Sequence, residues 1–235
     1  MKRIGGVGFA MALGAGLAGG AVGAQEAKQP VTWYAQALIR SEGALQVTYY
    51  WSKGRNLRVE TVIGWHRVVN LVNGNTYYAY DVPMRRGVAI ERSKAALADD
   101  ASGERPFGQE LQILLAQGAE NVGSEMVMGA ACDLYRVTDR AGKREVCVSP
   151  DEHRLPRRTE SYLRGKGIRF YTDYVDWLRD VPIPDSFFEP EADIQFERYT
   201  LEEFLIRSAR EGARSPAPLM FNDLLHGKAG VTERD

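Results

Sequence analysis

The stretch that decides the fold runs from Leu45 to Tyr80. It opens with Leu45-Gln46-Val47-Thr48-Tyr49-Tyr50-Trp51 and a Ser52-Lys53-Gly54-Arg55 turn. Leu57-Arg58-Val59-Glu60-Thr61-Val62 follows, with a break at Gly64. Then come Trp65-His66-Arg67-Val68-Val69-Asn70-Leu71-Val72, Asn73-Gly74, and Thr76-Tyr77-Tyr78-Ala79-Tyr80. Short runs rich in Val, Thr, Tyr and Trp, separated by glycine-containing turns, read as an antiparallel meander. Asn-Gly is the strongest of these turn signals, because a type I′ turn needs positive φ at both central residues. With Asn73-Gly74 as that turn, Val69 is expected opposite Tyr78 and Leu71 opposite Thr76. Trp65, Val69, Leu71, Tyr78 and Tyr80 then share one face, and His66, Val68, Asn70, Tyr77 and Ala79 the other. A sheet apolar on one face and mixed on the other is covered on both sides, or curls around something.

Upstream of the meander, Pro30 to Arg40 reads as a short amphipathic helix, with Trp33, Ala37 and Arg40 on one stripe. The chain begins Met1-Lys2-Arg3 and continues apolar and small to Ala24, before Gln25-Glu26. A basic start, an apolar middle and small residues before a polar one describe a secretory signal peptide over 1–24. No Cys lies near that junction, which excludes lipid attachment there. The expected compartment is the periplasm.

Downstream, Val88-Ala89-Ile90 is a further strand, and Ser93 to Glu104 a surface loop or frayed helix. Glu110 to Ala116 is a helix closed by Gly118, with Leu111, Leu114 and Leu115 as its apolar stripe. Glu120 to Met128, the segments around two cysteines, Arg157 to Leu163 and Ile168 to Trp177 are strands. Cys132 and Cys147 flank a turn at Asp139 to Lys143, so a hairpin brings them close. In an oxidising compartment a disulfide is the expected outcome. Pro182 to Pro190 is a connector that ends the sheet region and tucks Phe187 and Phe188 into the core. Leu201 to Ile206 is a helix capped by Thr200, and the remainder to Asp235 a loose tail. The tail's apolar patch, Pro218 to Leu225, either docks back or binds a partner.

About ten or eleven strands exceed what one flat sheet holds comfortably. The expected fold is mainly β: a curled antiparallel sheet, an unclosed β-barrel, with helices covering its concave side. The division is leader 1–24, half-barrel 25–197, and C-terminal helix with loose tail 198–235.

The catalytic motifs are missing. There are 3 histidines in the chain, and none sits at metal-ligand spacing with another His or with Cys. No nucleophile elbow, phosphate loop or dinucleotide fingerprint is present. Asp151-x-His153 sits in a turn composition, His66 reads as a strand residue, and Asp173, Asp176 and Asp180 are scattered. With a net charge of −1, nucleic acid is not the expected partner. No enzyme activity, cofactor or metal is expected.

The order of parts resembles the outer-membrane lipoprotein-sorting (LolA-like) superfamily. The marks are Gly123-Ser124-Glu125-Met126-Val127-Met128-Gly129 before Cys132-x-x-Tyr135-Arg136-Val137, Leu155-Pro156-Arg157-Arg158, and the closing Pro184-Asp185-Ser186-Phe187-Phe188-Glu189-Pro190. The resemblance covers roughly residues 45–190. It implies a hydrophobic cavity on the concave side that holds a lipid or lipoprotein acyl chain, with transient membrane contact. Burial of an acyl chain yields about 0.8 kcal/mol per methylene, so such a cavity needs no catalytic groups. Trp65, Val69, Leu71, Tyr78 and Tyr80 are the expected lining, with Leu111, Leu114 and Leu115 as lid. The alternative is an interaction or envelope-stress sensor module on the same fold, with an envelope protein as partner.

Overall fold

The computed structural model describes residues 30–41, 44–101, 110–212 and 215–227. The expected leader, 1–24, lies outside the described residues. Six strands come first: β1 (Thr32–Ser41), β2 (Ala44–Lys53), β3 (Asn56–Ile63), β4 (His66–Asn73), β5 (Thr76–Asp81) and β6 (Arg86–Glu91). Helices α1 (Lys94–Ala101) and α2 (Glu110–Ala116) follow. The second set is β7 (Glu120–Val127), β8 (Ala130–Thr138), β9 (Gly142–Val148), β10 (Pro156–Leu163) and β11 (Ile168–Arg179). A 3-10 turn (Asp185–Phe188), β12 (Gln195–Tyr199), α3 (Leu201–Glu211) and α4 (Asn222–His226) complete the order. All twelve strands form one sheet, ordered β12-β6-β5-β4-β3-β2-β1-β11-β10-β9-β8-β7. Its edge strands β12 and β7 do not pair with each other, so the sheet stays open.

The expected helix at Pro30 to Arg40 is instead strand β1. It joins the two strand sets, pairing with β2 from Thr32 to Ser41 and with β11 from Trp33 to Arg40. Trp33, Ala35 and Ala37 alternate into the core. That period-two pattern coexists with the helical stripe in the sequence, and hydrogen bonding on both sides decides between them.

The meander's register also differs from expectation. Gly54, Gly64 and Gly74 stand ten residues apart, each with positive φ (57°, 64° and 56°). Each opens a two-residue loop, the place a type II′ turn reserves for glycine. The β4–β5 loop is therefore Gly74-Asn75, and Val69 pairs with Tyr80, Leu71 with Tyr78 and Asn73 with Thr76. The shift moves each partner by two residues, so side chains keep their expected faces.

The sheet is antiparallel except at one edge. The connector after β11 does not end the sheet, because β12 follows it and pairs in parallel with β6. The boundary drawn at 197/198 falls inside this strand. Gly87 makes the edge possible: a Cβ there would lie 2.5 Å from Tyr80 Cβ and 2.8 Å from the Phe196 ring. Phe196 fills that space, edge-on to Tyr78 and Tyr80 at 5.2 and 5.6 Å.

Two layers flank β2–β6. On one face, Val69, Leu71 and Tyr80 pack with Ile183, Phe188 and Ile194 of the connector. The connector is fastened by Arg58, which donates to the Phe187 carbonyl (3.1 Å) and to Glu191 (2.7 Å). On the opposite face, Leu57, Val59, Val72 and Tyr77 pack with Phe204 of α3 and Leu224 and Leu225 of α4. The tail is thus docked rather than loose over 215–227. Cys132 and Cys147 form the expected disulfide between β8 and β9, with Cα atoms 5.4 Å apart.

Candidate functional site

The helix-bearing face has an unusual floor. At its centre β1, β2 and β3 present Ala35, Ala37, Thr48, Ser52 and Thr61, all buried and all small. Register sets them in rows: Ala37, Thr48 and Thr61 in one, Ala35, Tyr50 and Val59 in the next, Trp33, Ser52 and Leu57 in the third. Aromatic rings stand beside this floor. Tyr174 lies 6.0 Å from Tyr50 and stacks on Trp177 at 5.2 Å, and Trp177 meets Trp33 edge-on at 6.3 Å. The Trp177 indole donates to the Pro156 carbonyl (2.9 Å), which fixes the ring. Toward the β10–β11 turn the same face opens: Ile39, Gln46, Thr159, Ser161 and Thr172 are half-buried, and Phe170 is exposed.

The covers over this face are helical. Thr200 caps α3 through a capping box with Glu203, and α3 contributes Phe204. Residues 215–227 run over β2–β6 and end in α4. Met220 N–H donates to Asn70 Oδ1 (3.1 Å) and Phe221 N–H to the Tyr77 hydroxyl (3.2 Å), while Tyr77 itself donates to Asn70. Arg92 and Ser93, just after β6, hold the carbonyls of α4. Over the second strand set, α2 lays Leu111 and Leu114 on Val146 and Val148. Its Glu110 accepts from the Tyr174 hydroxyl. Burial raises the Glu110 pKa, and the Tyr174 hydrogen bond opposes that rise. Burial pushes the Tyr50 and Tyr77 hydroxyls up as well.

The residues expected to line a cavity are divided by the sheet. Val69, Leu71, Tyr78 and Tyr80 share a face as read, but it is the connector's face, not the one the helices cover. Trp65 sits in the β3–β4 turn, 72% exposed, with its ring against His66. Leu111 and Leu114 are buried against β9, whereas Leu115 is 40% exposed. The residues facing the helices are the complementary set, Val68, Asn70, Tyr77 and Ala79, joined by Ala35, Ala37 and Thr48. Ala35 and Ala37 escaped notice because β1 reads as a helix in the sequence; the alternation of Trp33, Ala35 and Ala37 is the signal that finds them.

Other groups are accounted for locally. The His66 ring lies against the buried carboxylate of Asp81. Asp151 accepts the backbone N–H groups of His153 and Arg154, a turn interaction. Among the described residues, Glu125 with Cys132 and Cys147 forms a cluster of potential metal ligands, but both sulfurs are committed to the disulfide. An open cleft of 890 Å³ lies where Val31, Lys53 and Arg179 meet the prolines of the connector.

No protein-family model matches the chain, and no curated protein matches it in sequence. Among solved structures, the chain is similar to an uncharacterised conserved protein from Thermus thermophilus. The TM-score is 0.53 at 11% identity, over 71% of this chain and 90% of that one. That likeness shows the fold. Weaker likenesses are to Pseudomonas aeruginosa MucB, solved with MucA (TM-score 0.45, 14% identity, 70% of this chain), and to Mycobacterium tuberculosis lipoprotein LppX (TM-score 0.37, 12% identity, 64% of this chain and 88% of that one). The chain spans 57% of the MucB-complex chain it matches.

Proposed function

We propose that this protein is an extracytoplasmic carrier of the lipoprotein-sorting type, which holds an acyl chain of a lipid or lipoprotein on the helix-bearing face. The observation that carries this reading is the floor of Ala35, Ala37, Thr48, Ser52 and Thr61 on the helix-bearing face, a run of small buried side chains where a self-filling core would set larger ones. Tyr50, Tyr174 and Trp177 wall that floor with rings that offer apolar surface and a polar edge. The open end near Phe170 gives an entry route. The Cys132–Cys147 bridge fits an oxidising compartment, the periplasm in this reading. Trp65, at a turn tip, suits brief contact with a bilayer surface.

The test is native mass spectrometry and lipid extraction on protein purified from membranes without detergent. Bound lipid near one per chain, lost in Ala37→Phe, supports the carrier. Lipid-free protein that binds no acyl probe overturns it.

A second reading, a protein-interaction module, is favoured by a different surface. On the connector's face, Tyr34 and Tyr49 flank Trp51, which itself packs on Phe187 of the connector, and the group lies beside exposed Leu178. Affinity capture from envelope extracts, with Tyr49→Asp as control, separates it from the first reading.

A further inference from the structure

The floor of the helix-bearing face is small, but it is not apolar. Thr48 and Ser52 of β2 are fully buried, and among the described residues neither Thr48 Oγ1 nor Ser52 Oγ has a hydrogen-bond partner. Buried hydroxyls on the neighbouring strands are satisfied: Thr61 Oγ1 donates to the Val47 carbonyl (3.0 Å) and Thr32 Oγ1 to the Val181 carbonyl (2.6 Å). A third unpartnered atom comes from a separate element. Glu110 Oε2 of α2 is buried without a partner, while Oε1 accepts from the Tyr174 hydroxyl. Tyr174 lies in the row of Ala37 and Thr48, which ties this carboxyl to the floor.

These groups discriminate among guests. A buried polar atom left unpaired costs more than a made hydrogen bond gains. A plain hydrocarbon chain laid on this floor would seal three polar atoms from water and satisfy none. Thr48 and Ser52 stand four residues apart on one strand, about 13 Å, so partners are wanted along the guest and not at its head alone. A hydroxyl both donates and accepts, as the Thr and Ser side chains do, and adds little bulk to a chain. Burial raises the Glu110 pKa, so that carboxyl suits a neutral partner better than a cation.

We infer that the guest is a hydroxylated chain: Thr48, Ser52 and Glu110 exchange hydrogen bonds with hydroxyl groups carried along an apolar skeleton. This rests on the carrier reading and adds to it the chemical class of the guest. Thr48, Ser52 and Glu110 set specificity, and Tyr174 is a positioning residue that holds Glu110. A site built to hydrogen-bond a hydroxyl rejects the analogue that lacks it more strongly than an apolar pocket rejects an added methylene.

The test uses the full chain and three uncharged probes of one chain length: methyl stearate, its mid-chain hydroxy derivative and N-methylstearamide. Pairs of probes compete at equal concentration, and native mass spectrometry reads the ratio bound. Hydrophobic burial alone favours methyl stearate, because the hydroxyl makes its derivative the more water-soluble of the two. The wild-type chain is expected to prefer the hydroxy ester about ten-fold. Thr48→Val combined with Ser52→Ala is expected to abolish that preference and to bind methyl stearate more tightly than wild type does. A purely structural role for the two hydroxyls would leave the ratio unchanged. Wild-type protein that binds methyl stearate as well as the hydroxy ester, or better, overturns this inference and leaves the carrier reading standing. Preference for the amide over the hydroxy ester does the same. A hydroxy-ester preference that persists both in the double variant and in Glu110→Leu overturns the residues assigned. Binding of none of the probes overturns the carrier reading as well. Should the double variant fail to fold, Thr48→Val, which keeps the side-chain shape, is read in its place.

Discussion

Strands β2–β6 are covered on both faces, while β8–β11 are covered on one. In the first set, Val69, Leu71 and Tyr80 lie under the connector and Val59, Val72 and Tyr77 under α3 and α4. In the second set, Val146 and Val148 lie under α2, but the reverse face carries a ladder of charges. Arg40 and Arg158 flank Asp173, Arg158 Nε at 2.6 Å. Lys143 bridges Glu145 (2.5 Å) and Glu160 (3.1 Å), which stand directly opposite each other, and Arg136 closes on Glu145. Asp173 and Glu145 are buried although, among the described residues, no second layer covers them. The aliphatic stems of their basic neighbours do the covering. One face is thus shielded by a second layer of chain and the other by paired side chains, and the two should fail under different stresses.

The largest difference is expected from the covering layer. Phe188 is completely buried between the connector and β4. Phe188→Ala is expected to cost about 3–5 kcal/mol in chemical denaturation, with no dependence on salt. A loss below about 1 kcal/mol would mean that the connector rests on the sheet without supporting it. Next comes the covalent link of the second set. Cysteines 15 residues apart stabilise the folded chain by about 3 kcal/mol when bridged. Reduction, or Cys132→Ser with Cys147→Ser, should release exchange in β7–β9 while β2–β6 stay protected. Simultaneous loss in both sets would show that they do not differ in stability.

The two sets were also unequally legible in the sequence. The meander could be read because glycines punctuate it at Gly54, Gly64 and Gly74 and its strands are rich in β-branched and aromatic residues. Its register was missed by one position at Asn73-Gly74, because a glycine opening a loop and one closing it look alike until the strands pair. β1 was hidden by Ala35 and Ala37, whose small side chains suit a helix but here floor the groove. β12 was hidden by its length of five residues and by lying beyond three prolines, and its partner β6 is far away in the chain. The expected lining residues lie under the connector, on the face opposite the helices. Alternation tells which residues share a face. It does not tell which face receives the helices, since that depends on where residues 200–227 return. The hairpin disulfide was legible because local turns alone bring Cys132 and Cys147 together.

A smaller effect is expected from the ladder itself. Lys143→Met removes the bridge between Glu145 and Glu160 and should cost about 0.5–1 kcal/mol at low salt. At about 1 M salt the Debye length falls to about 3 Å, and most of that difference should vanish. A cost that persists at high salt would mean that the Lys143 stem, rather than its charge, shields the face.

The finest separation comes from two glutamates whose pKa values move in opposite directions. Burial acts to raise Glu145, but hydrogen bonds from Lys143 and Arg136 outweigh it and hold the carboxyl below its ordinary range. Its contribution is present above the unfolded value, about 4.3, and is lost as pH falls through the lower folded value. Glu110, under α2, is raised by burial against the pull of Tyr174. Its contribution is present below the unfolded value and is lost as pH rises through the folded one. Denaturation midpoints of wild type, Glu145→Gln and Glu110→Gln should therefore diverge in opposite senses. Glu145→Gln is expected to be weaker than wild type at neutral pH and to converge on it in acid. Glu110→Gln is expected to gain on wild type as pH rises, because its amide keeps the Tyr174 contact without a buried charge. If both variants fall with pH in parallel, the covered and ladder faces share one electrostatic environment, and the contrast between them reduces to packing alone.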